Sequence, residues 1–351
     1  MKGKHRMKHI ALVVPSYNEE ECVSLLYERV REVFEKETEY DFSILYVNDG
    51  SKDHTLEEIL KLEKKYGSEK VKYISFARNF GKESAIYAGL SSAEGDYIVL
   101  MDADLQHPPE LLPEMARKLD EGYDCCGARR VDRKGEPPIR SALSRLFYKL
   151  INKMTNMNMV QGGSDFRMMT AQMAEAMTSL GERERFTKGI FSWVGFDTTW
   201  IEYENVERAA GTTKWSFGGL VRYALSGFIS FATAPLRLAV YLGFFIVFVA
   251  FIYAITIFVA AIGNGAGRTG YSTIVLLLLF FGGVIILLLG IIGEYMARMY
   301  MEMKHRPIFI VKKSNCIEVK NGRYYSNHDM LQQEKKDCSM HSVAEKCTEN
   351  N

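Results

Sequence analysis

The sequence predicts an α/β fold on a mainly parallel, Rossmann-like sheet, followed by interfacial and membrane-spanning helices. Three observations predict it. Apolar runs at Ile10–Pro15, Phe42–Val47, Val71–Phe76 and Tyr97–Met101 alternate with helical stretches near Glu20–Glu37, Leu56–Tyr66 and Glu83–Ala93. Runs that are apolar throughout belong in a parallel sheet covered on both faces. Polar clusters stand at the ends of three of these runs: Tyr17-Asn18-Glu19, Asn48-Asp49-Gly50-Ser51 and Asp102 to Gln106. Finally, Leu238–Ile262 and Ile274–Ile292 hold no charged residue, and a bilayer core of roughly 30 Å takes about 20 apolar residues as a helix.

Taken in order, Thr55 with Glu58 reads as a capping box for the second helix. Pro108-Pro109 opens a helix through Leu119, since proline suits a first helical turn. Tyr123–Ala128 reads as a strand with Cys125-Cys126 in buried positions. A polar loop from Arg129 to Pro138 follows, then a helix near Ser141–Thr155. Ser164-Asp165-Phe166-Arg167 leads into a strand at Phe166–Thr170, and Thr198–Tyr203 is another. Trp215, Phe217, Tyr223, Phe228 and Phe231 crowd a stretch with one charge, Arg222, which reads as a helix at headgroup level. Pro307–Val311 reads as a short strand. The polar tail from Ser314 lacks apolar periodicity and is expected to end in disorder. The predicted division is a catalytic domain at 1–213, an interfacial region at 214–235, spans at 236–263 and 272–297, and a C-terminal segment at 298–351.

A net charge of +1 gives no global field for nucleic acid. Arg222 and Arg237 precede the first span. Arg298, Lys304, His305, Arg306, Lys312 and Lys313 follow the second, whereas the loop between holds only Arg268. Positive-inside bias therefore predicts a two-span plasma-membrane protein with both termini and the catalytic domain cytoplasmic. The apolar run after the basic N-terminus stops at Pro15, too short for a signal peptide. Cys22, Cys125, Cys126, Cys316, Cys338 and Cys347 lack zinc spacing and are expected to be reduced.

Asp102 and Asp104 carry the chemistry. Two carboxylates this close repel unless a cation sits beside them, and Gln106 adds a neutral oxygen. Oxygen-only ligands suit Mg2+ or Mn2+, which keep positions open for substrate phosphates. An isolated pair of this kind is equally an acidic loop after a strand. Three strand ends delivering polar groups to one edge read instead as a site.

Val14-Pro15-Ser16-Tyr17-Asn18-Glu19, Val47-Asn48-Asp49-Gly50-Ser51, Asp102-Ala103-Asp104-Leu105-Gln106 and Ser164-Asp165-Phe166-Arg167, in that order, resemble the motif series of family 2 glycosyltransferases. More narrowly, the chain resembles the polyprenyl-phosphate glycosyltransferases over about residues 8–313, and its two C-terminal spans match the bactoprenol branch. The resemblance implies a GT-A catalytic domain, a UDP-sugar donor (UDP-glucose or another UDP-hexose), undecaprenyl phosphate as acceptor, Mg2+ or Mn2+, and a homo-oligomer, a tetramer in relatives. It implies that Pro15, Tyr17, Glu19, Asp49 and Ser51 hold the nucleotide. Asp102 would contact the nucleotide sugar and also stand near the metal held by Asp104 and Gln106. Arg129, Arg140, Arg208 and Lys214 would hold the acceptor phosphate, the last two in a mobile loop. Asp165 would serve as base, orient the acceptor or bind the donor sugar, and its alternative is a plain ion pair with Arg167 or another arginine. Lys82 would reach the donor phosphates, or stand exposed at a helix start. A processive polysaccharide synthase and a non-catalytic membrane scaffold are the alternative functions. The Q-x-x-R-W motif and further spans of the former do not occur in the sequence, and intact carboxylates argue against the latter.

Overall fold

A computed structural model describes residues 6–130, 163–183, 185–203, 270–320 and 323–326, together with Asn152, Val160 and scattered positions between 241 and 255. Eight strands form one sheet: β1 (Lys8–Ser16), β2 (Tyr40–Asn48), β3 (Val71–Phe76), β4 (Tyr97–Leu100), β5 (Cys125–Arg130), β6 (Gly163–Thr170), β7 (Thr198–Tyr203) and β8 (Val311–Ser314). Their order is β7-β5-β6-β4-β1-β2-β3-β8. The centre, β4-β1-β2-β3, is parallel, as the continuous apolar runs predict. β6 runs antiparallel to both β4 and β5, and β7 is parallel to β5.

Helices α1 (Val23–Phe34), α2 (Thr55–Tyr66), α3 (Lys82–Ser92) and α4 (Leu112–Asp120) supply the crossovers, and α5 (Ala171–Ser179) and α6 (Thr187–Trp193) follow β6. Each buries one apolar face. Val23, Leu26, Val30 and Phe34 of α1 recur at helical spacing and join Ile10, Leu12 and Ile44 in the larger core cluster. On the opposite side Ile86 and Leu90 of α3 meet Ile98, Met169 and Met173. Cys125 and Cys126 are fully buried, as read from the sequence.

Two local expectations change. Thr55 opens α2 without capping it; its hydroxyl accepts from the Glu19 N–H at 2.8 Å and donates to Asp53 Oδ1 at 2.6 Å. A tertiary partner from the β1 loop thus takes the oxygen that a capping box would use. The strand expected at Pro307–Val311 forms at Val311–Ser314 instead, because pairing with β3 sets its register. Phe309, just before it, lies stacked on Phe76 with ring centroids 5.0 Å apart. Early in the polar tail, β9 (Ile317–Lys320) and β10 (Arg323–Ser326) form an antiparallel pair.

The long helix α7 (Tyr271–Met303) includes Phe280–Met303, with mean hydropathy 2.0 and none of its apolar window buried. It is the one helix among the described residues that is long and apolar enough to cross a membrane. The expected first span, the interfacial region and the helix near 141–155 fall largely or wholly outside the described residues. Positions 241, 243, 245 and 246 of the first span are helical, and Tyr241 and Phe245 are exposed.

Candidate active site

The parallel centre brings the three polar clusters together. β1 lies between β2 and β4, with Ser16 opposite Asn48 and Val13 opposite Leu100, so the chain leaves all three strands at one edge. Pro15 can occupy this central strand because the β1–β4 ladder has already ended at Val13.

The loops after β1 and β2 are laced to each other. Asn18, at φ 54°, donates its N–H to Ser51 Oγ at 3.0 Å, and its side-chain oxygen accepts from the Lys52 N–H at 2.9 Å. Asn48 Oδ1 accepts from the Ser51 N–H at 3.1 Å, closing the turn that holds Gly50 at φ 63°. A Cβ on Gly50 would lie 2.3 Å from the Arg78 carbonyl carbon. That close approach sets the Arg78–Gly81 loop against Asp49, whose carboxylate accepts from the Phe80 N–H at 2.6 Å and the Gly81 N–H at 2.9 Å. Burial raises the Asp49 pKa, against the pull of those two donors and of Arg78. Tyr17 and Glu19 stand half-buried in the same edge.

Beyond β4 the chain turns through Leu105 at φ 58°, and Asp104 Oδ1 accepts from the Gln106 N–H at 3.2 Å. His107 is buried beneath this turn, stacked on Phe166 with centroids 5.2 Å apart. Among the described residues no three His, Cys, Asp or Glu side chains gather as a metal cage. The donor set here is Asp102, Asp104 and the Gln106 amide. Those residues fit a hard divalent cation held by one or two carboxylates, with water and substrate phosphates completing its shell.

Asp165 comes from β6, which enters the sheet beside β4. Lys82, the first residue of α3, joins the two strands. Its ammonium lies 2.7 Å from Asp102 Oδ1 and 3.0 Å from Asp165 Oδ2. Burial works against the charge on Lys82, but the two carboxylates outweigh it and raise its pKa. Burial likewise opposes the charge on Asp165; Lys188, Lys82 and Arg167 overcome it and hold the carboxyl far below the usual range.

The alternative of a plain ion pair with an arginine is met by lysines instead. Lys82 and Lys188 meet the carboxylate, with Lys188 Nζ 3.6 Å from Oδ1. Arg167 is buried between the rings of Phe191 and Trp200, 4.2 and 4.8 Å from their centroids. Trp200 fits there because Gly127 and Gly163 leave room; a Cβ on either would come within 2.9 Å of its ring. Of the arginines expected at the acceptor, Arg129 is described: it lies next to last in β5, opposite Gly163 and Glu202, with an exposed side chain. Arg140, Arg208 and Lys214 lie outside the described residues.

Lys188, His107 and Glu83 were not singled out in the sequence. A lysine two residues into a short helix carries no local signal. His107 stands beside the Asp102 cluster, and its buried stacking appears only when β6 is placed next to β4.

Comparison with known proteins gives the same assignment as these motifs. The Glycosyl transferase family 2 model matches residues 11–177, and the GtrB C-terminal hairpin model matches residues 234–299. CsbB of Bacillus subtilis, named as a glycosyltransferase, is 47% identical over 306 residues, covering 87% of this chain and 92% of that protein. The bactoprenol glucosyl transferase of Shigella phage SfII is 40% identical over 306 residues, 87% of this chain and 98% of that one. Among solved structures, glucosyl-3-phosphoglycerate synthase from Mycobacterium tuberculosis is 15% identical, with a TM-score of 0.43 over 62% of this chain and 76% of that chain. The chain belongs to the family 2 glycosyl transferases, is a glycosyltransferase, and carries the GtrB type of C-terminal hairpin.

Proposed function

We propose that this enzyme transfers a single sugar from a UDP-sugar, UDP-glucose or another UDP-hexose, to undecaprenyl phosphate at the cytoplasmic face of the plasma membrane. One observation carries the reading: Lys82 joins Asp102 at the end of β4 to Asp165 of β6, at 2.7 and 3.0 Å. In this reading a nucleotide-side carboxylate and an acceptor-side carboxylate share one cation at the edge where three strands end. The apolar face of Phe280–Met303 supports a bilayer nearby. Support for the lipid acceptor comes from relatives named bactoprenol glucosyl transferase and from the hairpin match. Two spans, at 236–263 and 272–297, with cytoplasmic flanks, belong to this proposal.

In this reading the Asn18–Ser51 lacing and the Phe80–Asp49 hydrogen bonds preform a nucleotide cradle from Pro15, Tyr17, Glu19, Asp49 and Ser51. Asp104 and Gln106, with Asp102 adjacent, would hold Mg2+ or Mn2+. When bound, the cation stabilises the departing nucleoside diphosphate as a Lewis acid. Arg129, with Arg140, Arg208 and Lys214, would hold the acceptor phosphate through charge-assisted hydrogen bonds. A phosphate monoester has its second pKa near 6, so the acceptor oxygen needs little help from a base. Asp165, held ionised by its lysines, orients the reactants and takes up no proton. Attack by that oxygen on the anomeric carbon breaks the sugar–diphosphate bond and inverts the centre.

The test is incubation of the purified protein with radiolabelled UDP-sugars, undecaprenyl phosphate and Mn2+ or Mg2+. Label should appear in a lipid product with one donor. A folded protein that labels no lipid with any common donor overturns the proposal.

A further inference from the structure

Four residues and Asp165 close a ring of contacts. Lys82 pairs with Asp165 Oδ2 at 3.0 Å. Its chain neighbour Glu83 accepts the Thr187 N–H at 3.0 Å and the Thr187 hydroxyl as well. Lys188, the chain neighbour of Thr187, pairs with Asp165 Oδ1 at 3.6 Å. Two peptide links and the contacts of Glu83 and Asp165 thus hold two ammonium groups on opposite oxygens of one carboxylate. The Glu83–Thr187 contact spans 104 residues and joins the start of α3 to the start of α6.

The two lysines are not equivalent. Lys82 sits within hydrogen-bonding distance of both Asp102 and Asp165. Lys188 is beyond that distance from Asp165, so the contact is an ion pair without a hydrogen bond. Its side chain keeps 28% of its surface exposed. Lys82 is shared between two carboxylates, whereas Lys188, partly exposed and without a hydrogen bond to Asp165, keeps directional N–H donors to offer. A compact ammonium of this kind suits a phosphate oxygen.

We propose that Lys188 is a phosphate-contacting residue of this site, and that Glu83, acting through Thr187, is the positioning residue that sets it. The proposal rests on the sugar-transfer reading for its substrates. The phosphate is either the donor's diphosphate or the acceptor's monoester, the shared chemistry being an anionic phosphoryl oxygen.

The experiment uses the full chain in detergent or lipid. Lys188→Met is expected to lower kcat/KM roughly 10- to 100-fold, the range for losing a hydrogen bond to a charged group. The KM of the UDP-sugar or of the lipid phosphate should rise, and which one rises identifies the source. Glu83→Ala and Thr187→Val should act in the same direction, and Thr187→Ser, which keeps the hydroxyl, should restore most of the loss. A double variant Glu83→Ala/Lys188→Met should be no worse than Lys188→Met, because the two act as a unit. Thermal stabilisation by inorganic phosphate and pyrophosphate gives a readout independent of sugar transfer; it should shrink in Lys188→Met. An inactive wild type that is still stabilised by pyrophosphate through Lys188 would sink the sugar-transfer reading and keep this one. A folded Lys188→Met with unchanged stabilisation by both anions, or with both KM values unchanged, overturns the inference. So does full additivity with Glu83→Ala.

Discussion

Asp165 and Lys82 form a 3.0 Å ion pair across 83 residues of sequence, and the same ammonium reaches Asp102 at 2.7 Å. The pairing makes Asp165 a fixed negative charge. Burial alone would push its pKa up, but Lys188, Lys82 and Arg167 hold it far down. Its protonation is therefore expected to leave the pH dependence of the rate unshaped at ordinary pH. The pH profile of kcat should show no acidic limb removed by Asp165→Asn. That substitution should instead lower transfer by a similar factor at every pH from 6 to 9, measured with saturating substrates. A limb near neutral pH that disappears in Asp165→Asn would make Asp165 a proton acceptor after all.

The turn after β4, with Asp104 accepting from the Gln106 N–H, offers the side-chain oxygens of Asp104 and Gln106. Chelation should stop transfer, and Mn2+ or Mg2+ should restore it. Asp104→Asn should cost roughly 100-fold or more in kcat/KM, in keeping with a Lewis-acid contribution of several kcal/mol. Its thermal midpoint should stay close to that of the unaltered protein. Transfer that survives exhaustive chelation would count against a resident cation.

Gly50 has φ 63° and faces backbone atoms of Arg78 and Asn79. Gly50→Ala should lose at least about 1–2 kcal/mol from the left-handed conformation alone. The added methyl must also displace the Arg78–Gly81 loop, which supplies both N–H donors to Asp49. UDP affinity by calorimetry should therefore fall together with the thermal midpoint. Unchanged UDP affinity would show that the loop does not shape the nucleotide cradle.

His9 lies on β1 opposite Asp41, with its ring nitrogen 2.9 Å from Ser43 Oγ. Burial lowers its pKa; Asp41 and Asp96 oppose this, and Lys70 and Lys72 reinforce it. The unfolded chain thus binds the proton more readily than the folded one. Stability from this group is complete above the unfolded value of about 6.5 and is lost as pH falls through the folded pKa. Denaturant midpoints should fall between pH 8 and pH 5, and His9→Gln should flatten that slope. An equal slope in the variant would assign the loss to carboxylates elsewhere.

The sequence by itself determined the parallel centre and the polar strand-end clusters that the sheet brings to one edge. Continuous apolar runs, the turn chemistry of Asn48-Asp49-Gly50-Ser51 and the carboxylates after Met101 are local signals, readable over a few residues. The tertiary structure decided what surrounds Asp165. β6 enters antiparallel beside β4, so Asp165 meets Lys82 and Lys188 instead of Arg167, and Arg167 goes to Phe191 and Trp200. It also decided that Thr55 serves Glu19, and that the chain returns after α7 to pair β8 with β3. These contacts join residues tens to hundreds of positions apart. They depend on strand order, which hydrophobic periodicity does not encode, because a period of two or 3.6 fixes only which face of an element is buried. Which strand lies next to it depends on the packing of the whole sheet.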